Sequence, residues 1–189
     1  VTRTRRLFFA LWPDAQVRDA FARATHKAVR ACGGRPVEVE NLHATLLFLG
    51  SVAESRIPDL VAVAADALSA TDVLTAARMK QGLIFDRIEY WPKSHILVAA
   101  TSTSASPGHA LAAALWAVLD KGMRGLGLEP DLKPFRAHVT LARKVARLGR
   151  ALDMRPVSWS LEGFALVESR TMPEGSQYSV LQSFALVSN

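Results

Sequence analysis

A single cysteine, Cys32, is all the thiol chemistry that this chain of 189 residues possesses. One thiol closes no intramolecular disulfide and offers no cysteine cluster to zinc, so neither oxidation nor a structural metal is expected to hold the fold. A free buried thiol is its expected role. Long apolar runs are missing as well, since no stretch approaches the roughly 20 residues needed to span a bilayer. The opening stretch "VTRTRRLFFALWPDAQ" is basic, but its short apolar run ends in Trp-Pro-Asp rather than in a small-residue cleavage site. A cytoplasmic location with no membrane partner is therefore expected. Lysine is scarce, filling only a few of the 23 basic positions, and the formal charge of +6 is mostly arginine. A planar guanidinium grips phosphate oxygens bidentately, which favours phosphate-bearing partners. Metal-binding spacings are absent too: there is no HExxH and no His-x-His, and no metal or cofactor is expected.

What the chain does have is apolar content, 50% of its residues, enough to close a core without staples. "RLFFALWP" (6–13) reads as a buried strand stopped by Pro13. The stretch 14–34 then carries apolar residues at helical spacing, with Asp14 as cap and a glycine pair as stop. After "RPVEVEN" comes a strand over 43–49, and "AESRIPDLVAVAADALSA" reads as a second helix. "VLTAARMKQGLIF" (73–85) reads as strand and turn, 94–101 as a buried strand, 107–127 as an amphipathic helix and "AHVTLAR" as another strand. The tail offers two more strands, roughly 159–168 and 178–187.

A coarse repeat runs through this order. Strand, helix and a His-x-Thr strand occupy 6–49, and the same three occupy 95–142. From Leu7 to His43 is 36 positions and from Ile96 to His138 is 42, so the halves can superpose as lobes that differ by a loop. No low-complexity linker separates them, which predicts one two-lobed domain over 1–189 around a shared cleft.

Each copy of the repeat puts polar groups where a sheet core favours Val or Ile. "NLHATLLFLG" holds His43 and Thr45, and "FRAHVTLARK" holds His138 and Thr140. Strand side chains alternate faces, so His43 and Thr45 point one way while Ala44, Leu46 and Phe48 point the other. The same holds for His138 and Thr140 against Val139 and Leu141. Pairing the lobes would bring two imidazoles face to face on rigid strands. With an ordinary pKa of about 6.5, one can be charged and the other neutral, as an acid and a base must be. In-line cleavage of a phosphodiester asks for that pair: a base for water, an acid for the leaving oxygen, and donors for the non-bridging oxygens. Thr45 and Thr140 suit the donor role, and Arg143 or Arg136 adds positive charge. His26, His95 and His109 have no comparable setting and read as structural.

The pair "HATL" and "HVTL" resembles the two-histidine phosphoesterases. With "RLFFALWPD", "NLHATLLFLGSV", "FRAHVTLARK" and "ESRTMPEGSQYSVLQSFAL", nearly the whole chain is similar to the RNA 2′,3′-cyclic phosphodiesterases, historically called 2′-5′ RNA ligases. The resemblance implies an α+β fold of two pseudo-symmetric lobes, antiparallel sheets lining a central cleft and helices outside. It implies metal-independent opening of a 2′,3′-cyclic phosphate to a 2′-phosphate, with RNA ends or cyclic nucleotides as partners and a monomer as the expected state. On that pattern His43 is the acid for the 3′ oxygen and His138 the base for water. Arg143, five past His138, matches the phosphate-side arginine, and Phe9, Phe48 and Tyr178 are candidates for an aromatic wall on which a base stacks. One departure is Ala137, where the family often has proline before the second histidine. Two rival readings share these residues: reversible 2′-5′ joining of RNA ends, with a 5′-hydroxyl in place of water, and a non-catalytic module that only holds RNA ends.

Overall fold

Two successive strand-helix-strand units organise the chain. The computed structural model describes residues 3–77, 82–102, 106–130, 135–146, 153–172 and 175–186. The first unit is β1 (Thr4–Leu11), α1 (Ala15–Ala31), a two-residue β2 (Arg35–Pro36) and β3 (Ala44–Ala53). Pro13 ends the strand, and the Asp14 carboxylate then accepts from the Val17 amide at 2.8 Å, which satisfies one of the free N–H groups at the start of α1. After α2 (Ile57–Ala67), α3 (Thr71–Ala77), β4 (Leu83–Phe85) and β5 (Arg87–Trp91), the second unit follows: β6 (Ile96–Ala100), α4 (Pro107–Gly125) and β7 (His138–Arg143). Ser106 caps α4 by accepting from the His109 amide, with Pro107 in the first turn, where its missing N–H costs nothing. The chain closes with β8 (Val157–Trp159), β9 (Gly163–Met172) and β10 (Gly175–Ala185).

Segment 73–85 departs from expectation in its first part, while Leu83–Phe85 is a strand. Val73 to Ala77 continue a helix rather than a strand, because Val73 is buried in the core beside α4. Residues 78–81 lie outside the described ones. The tail strands sit at 163–172 and 175–185, offset from the expected ranges, whose last position, 187, lies outside the described residues. Strands β2, β5 and β8 go beyond what the pattern predicts. Two or three residues are too few to show a period, and β5, "RIEYW", is half polar.

The strands form two four-stranded antiparallel sheets, β10-β9-β1-β3 and β2-β7-β6-β5, with a small β4-β8 pair beside them. Each histidine strand pairs with the strand that opens its own unit, β3 with β1 and β7 with β6. The halves also exchange strands: β2 from the first unit joins β7, and β9 from the tail joins β1 with β10 on its far side. One face of each sheet packs with the helices into a common core that includes Phe9, Phe21, Leu60, Leu97, Leu115 and Val139. A small second cluster, Phe8, Ala10, Ala165 and Val167, lies on the opposite face of the first sheet, with Trp12, Phe48 and Tyr178 against it.

Both histidine strands carry a bulge at the same place. On β3, Thr45 faces Ala10 and Leu47 faces Phe9, which leaves Leu46 as an extra residue. On β7, Thr140 faces Val98 and Ala142 faces Leu97, which leaves Leu141 extra. An inserted residue inverts the alternation beyond it. Phe48 therefore returns to the face of His43 and Thr45, opposite Phe8, contrary to the plain alternation read from the sequence. Arg143 returns to the face of His138 and Thr140 in the same way, while Leu141 and Ala142 are both buried. The segments "HATLLF" and "HVTLAR" are thus backbone equivalents that end in a phenylalanine and an arginine.

Candidate active site

Each imidazole is tied down at the same atom. His43 Nδ1 lies 2.7 Å from the Asn41 carbonyl, and His138 Nδ1 lies 2.7 Å from the Arg136 carbonyl. A carbonyl only accepts, so both Nδ1 atoms carry hydrogen and donate, and Nε2 is left in each ring as the atom that gives or takes a proton. Aromatic rings fix the rest of the orientation. Trp12 stacks on His43 at 5.4 Å between centroids, with Phe8 and Tyr178 each at 5.0 Å. Trp91 lies 4.5 Å from the His138 ring. Each tryptophan has a guanidinium over it in turn, Arg18 over Trp12 at 5.3 Å and Arg136 over Trp91 at 4.9 Å.

A pocket of about 230 Å³ brings residues of both sheets together: His43, Thr45, Phe48 and Tyr178 from the first and Arg143 from the second, with Arg6 and Phe8 among the other lining residues. Arg143 Nη2 donates to the Tyr178 hydroxyl at 3.4 Å, linking β7 to β10. His138 and Thr140 lie on the face of the second sheet that also carries Arg143, outside the residues that line this pocket. Arg136 is paired through Nη2 with Glu89, which also accepts from Trp91 Nε1 at 2.9 Å. Its side chain thus belongs to a Glu89–Trp91 cluster, and its carbonyl is what reaches His138.

Phe9 is not on the wall. It is fully buried, packed against Phe164 and Phe184 on the helix side of the sheet. Two adjacent phenylalanines must face opposite ways. The register that sets Ala10 opposite Thr45 gives the cleft to Phe8 and the core to Phe9. Tyr178 and Phe48 do line the pocket. Cys32 is buried as expected, its Sγ against the Val29 carbonyl.

Comparison with known proteins fits this geometry. Residues 11–84 match the family model described as LigT-like phosphoesterase. A Thermus thermophilus protein named RNA 2′,3′-cyclic phosphodiesterase is 33% identical over 96% of this chain and 90% of its own length. The chain belongs to the LigT-like phosphoesterases. An Escherichia coli relative of the same name is 29% identical, covering 98% of this chain and 99% of its own. The crystal structure of Escherichia coli LigT complexed with 3′-AMP superposes with a TM-score of 0.75 at 25% identity, over 98% of this chain and 100% of that one.

In this phosphoesterase the two histidines differ electrostatically. The His43 pKa is lowered to about 4, first because its ring is enclosed, then because the charges of Arg143, His138 and Arg18 all oppose another proton; only the Asn41 carbonyl works the other way. His138 is lowered too, again chiefly by burial, but here the Arg136 carbonyl and the Glu89 carboxylate both favour the cation, against the charges of Arg136 and Arg143. Among the described residues no group of three or more His, Cys, Asp or Glu is placed to hold a metal ion, and no single helix is long and apolar enough to cross a membrane. Sequence reasoning missed Phe8, Trp12, Trp91, Arg6 and Glu89. The two tryptophans stand at strand ends, Trp91 as the last residue of β5 and Trp12 just after β1, but only the fold says which ring meets which.

Proposed function

We propose that this LigT-like phosphoesterase hydrolyses RNA 2′,3′-cyclic phosphate ends to 2′-phosphomonoesters without a metal. The observation that carries this reading is the matched pair of imidazoles, each with Nδ1–H held by a carbonyl and Nε2 left for proton transfer, in reach of Arg143's charge. The names of the curated relatives point the same way, and the complex of Escherichia coli LigT with 3′-AMP supports a nucleotide as ligand. His138 Nε2 takes a proton from water as its oxygen attacks phosphorus in line with the 3′ oxygen. The P–O3′ bond breaks, and His43 Nε2 gives its proton to the departing 3′ oxygen. The product is a 2′-phosphate and a free 3′-hydroxyl, and the enzyme resets by exchanging one proton between the rings through solvent. Thr45, Thr140 and Arg143 donate to the non-bridging oxygens, where charge grows in the transition state. Tyr178, Phe48 and Phe8 form the aromatic wall for the base.

With a pKa near 4, His43 is neutral at pH 7 until an anion arrives. A bound phosphate beside it raises that value, so protonation of the acid is coupled to substrate binding. Incubation with a 2′,3′-cyclic nucleotide in strong chelator tests the whole reading. The 2′-monophosphate should appear at the rate seen without chelator; a 3′-monophosphate, no product, or recovery only on adding zinc or manganese would overturn it.

A further inference from the structure

Beside the pocket of His43, and sharing Arg143 and Tyr178 with it, lies a second cavity of about 290 Å³. Its cations are gathered there against local preference. Arg35 on β2 is the direct cross-strand partner of Arg143 on β7, and like charges placed opposite each other weaken an antiparallel pair. The next residue, Lys144, would face away from Arg143 if the strand continued. It has instead a left-handed backbone, φ 53, which a lysine adopts at a cost that glycine would avoid, and so it lines the same cavity. The Val145 amide then donates to the His95 carbonyl at 2.9 Å and holds the turn. Two glycines allow the approach. A Cβ on Gly34 would sit 2.8 Å from the Arg143 carbonyl oxygen, and one on Gly175, at φ +142, would sit 3.3 Å from the Arg35 guanidinium.

Repulsion between Arg35 and Arg143 and strain at Lys144 both work against the folded state, yet both serve to bring three cations to one cavity, where Glu38 is the one carboxylate among the described lining residues. A bound anion relieves the repulsion, and strain of this type gathers at sites that bind. Met172, 43% exposed, adds an apolar wall suited to a ribose or base.

The geometry points to a second phosphate subsite, in which Arg35 and Lys144 hold the phosphodiester one nucleotide upstream of the cyclic phosphate and so make the site favour a chain end over a free cyclic mononucleotide. This rests on the hydrolase reading above. The direction follows from the chemistry of the ligand. A 2′,3′-cyclic phosphate closes the 3′ terminus, so the only phosphodiester that can lie beside it belongs to its 5′ neighbour. Arg143, common to both cavities, stands between the two phosphates.

The test compares a 2′,3′-cyclic mononucleotide with a dinucleotide ending in the same cyclic nucleotide, using the wild type, Arg35→Gln and Lys144→Gly. The wild type should favour the dinucleotide by about tenfold in kcat/KM, and each variant should lose most of that preference, with a shallower salt dependence, while mononucleotide turnover stays within about twofold. Lys144→Gly should do so with no fall in Tm, because it removes the left-handed strain along with the charge. No preference in the wild type, or a preference kept by both variants, would overturn the assignment. An equal loss on both substrates would also overturn it, since the cavity would then hold part of the terminal nucleotide. Calorimetric binding of the 2′-phosphorylated mononucleotide and dinucleotide products should give the same ratios. If nothing is turned over, the hydrolase reading fails, and the binding ratio still judges the subsite.

Discussion

On β3 the segment "HATLLF" carries its imidazole among Phe8, Trp12 and Tyr178, and the charges of Arg143, His138 and Arg18 oppose its protonation. On β7 the segment "HVTLAR" carries its imidazole beside Trp91, with the carboxylate of Glu89 near enough to favour the charged ring. Backbone, bulge, threonine and Nδ1 anchor are the same in both lobes; only the surroundings differ. The sixth residue of each segment concentrates the difference, Phe48 in one lobe and Arg143 in the other. Duplicated geometry leaves Nε2 free of the Nδ1 anchor in each lobe, and unlike neighbours set the two rings in different electrostatic surroundings. One lobe offers π-faces suited to a base, and the other reaches across with the cation suited to a phosphate.

Removing either imidazole breaks the comparison most severely. His43→Ala and His138→Ala should each lower turnover of a 2′,3′-cyclic phosphate by roughly 10²-fold or more, as loss of a positioned acid or base does. Both variants should fold, because neither ring belongs to the helix-side core. The roles are then separated with a phosphodiester that has a good leaving group, whose departing oxygen needs no proton. That substrate should rescue His43→Ala more than His138→Ala. Equal rescue would remove His43 from the acid role, and near wild-type turnover by either variant would remove that residue from the mechanism.

The sixth position comes next. Arg143→Ala should lower kcat/KM by about tenfold or more, since it takes away a guanidinium that the second sheet brings into the pocket of His43 and Thr45. Phe48→Ala should act mainly on KM, through lost stacking worth about 1–3 kcal/mol. Thr45→Ala and Thr140→Ala each remove a neutral donor that a water partly replaces, so each should lose less than Arg143→Ala. Steady-state kinetics on one cyclic nucleotide ranks all four, and a threonine variant that falls below Arg143→Ala would reverse the assignment.

Much of this comparison is legible in the amino-acid order alone. The repeated His-x-Thr and the common succession of strand, helix and strand point to both imidazoles and to the two-lobed plan. What stays hidden is parity. Nothing in "LLF" or "LAR" announces that Leu46 or Leu141 is the inserted residue, because a bulge is decided by the partner strand's register, and one residue inverts the faces that follow it up to the next register shift. Phe8 and Phe9 are hard to tell apart for the same reason. Strand exchange is invisible too: Arg35 lies only eight residues before His43, yet it pairs with the strand of the other histidine. Val73 reads as strand from its branched side chain, and packing beside α4 overrides that local preference.

The smallest expected effect tests the electrostatic half of the comparison, and its sign follows from His43. In the folded chain its pKa is about 4, against 6.5 for an ordinary imidazole, so between those values the unfolded chain binds the proton more readily. Stability should be fully present above about pH 6.5, fall as the pH drops toward 4, and show no further loss from this group below that. One pKa unit is about 1.4 kcal/mol, and an edge of the ring still meets water, so the expected loss is on the order of 2 kcal/mol. His138 is displaced in the same direction and adds to the slope. Denaturant unfolding of the wild type and His43→Asn at pH 4.5 and 7 isolates the effect: the variant should lose less stability on acidification, and an equal loss would contradict the burial of the ring as its cause. Substrate reverses the shift, because a bound phosphate draws His43 toward protonation. The bell for kcat/KM, which reports the free enzyme, should therefore lie at lower pH than the bell for kcat, which reports the complex. Coincident bells would mean that the anion does not sit beside His43, and the first lobe would then lose the acid that this mechanism assigns to it.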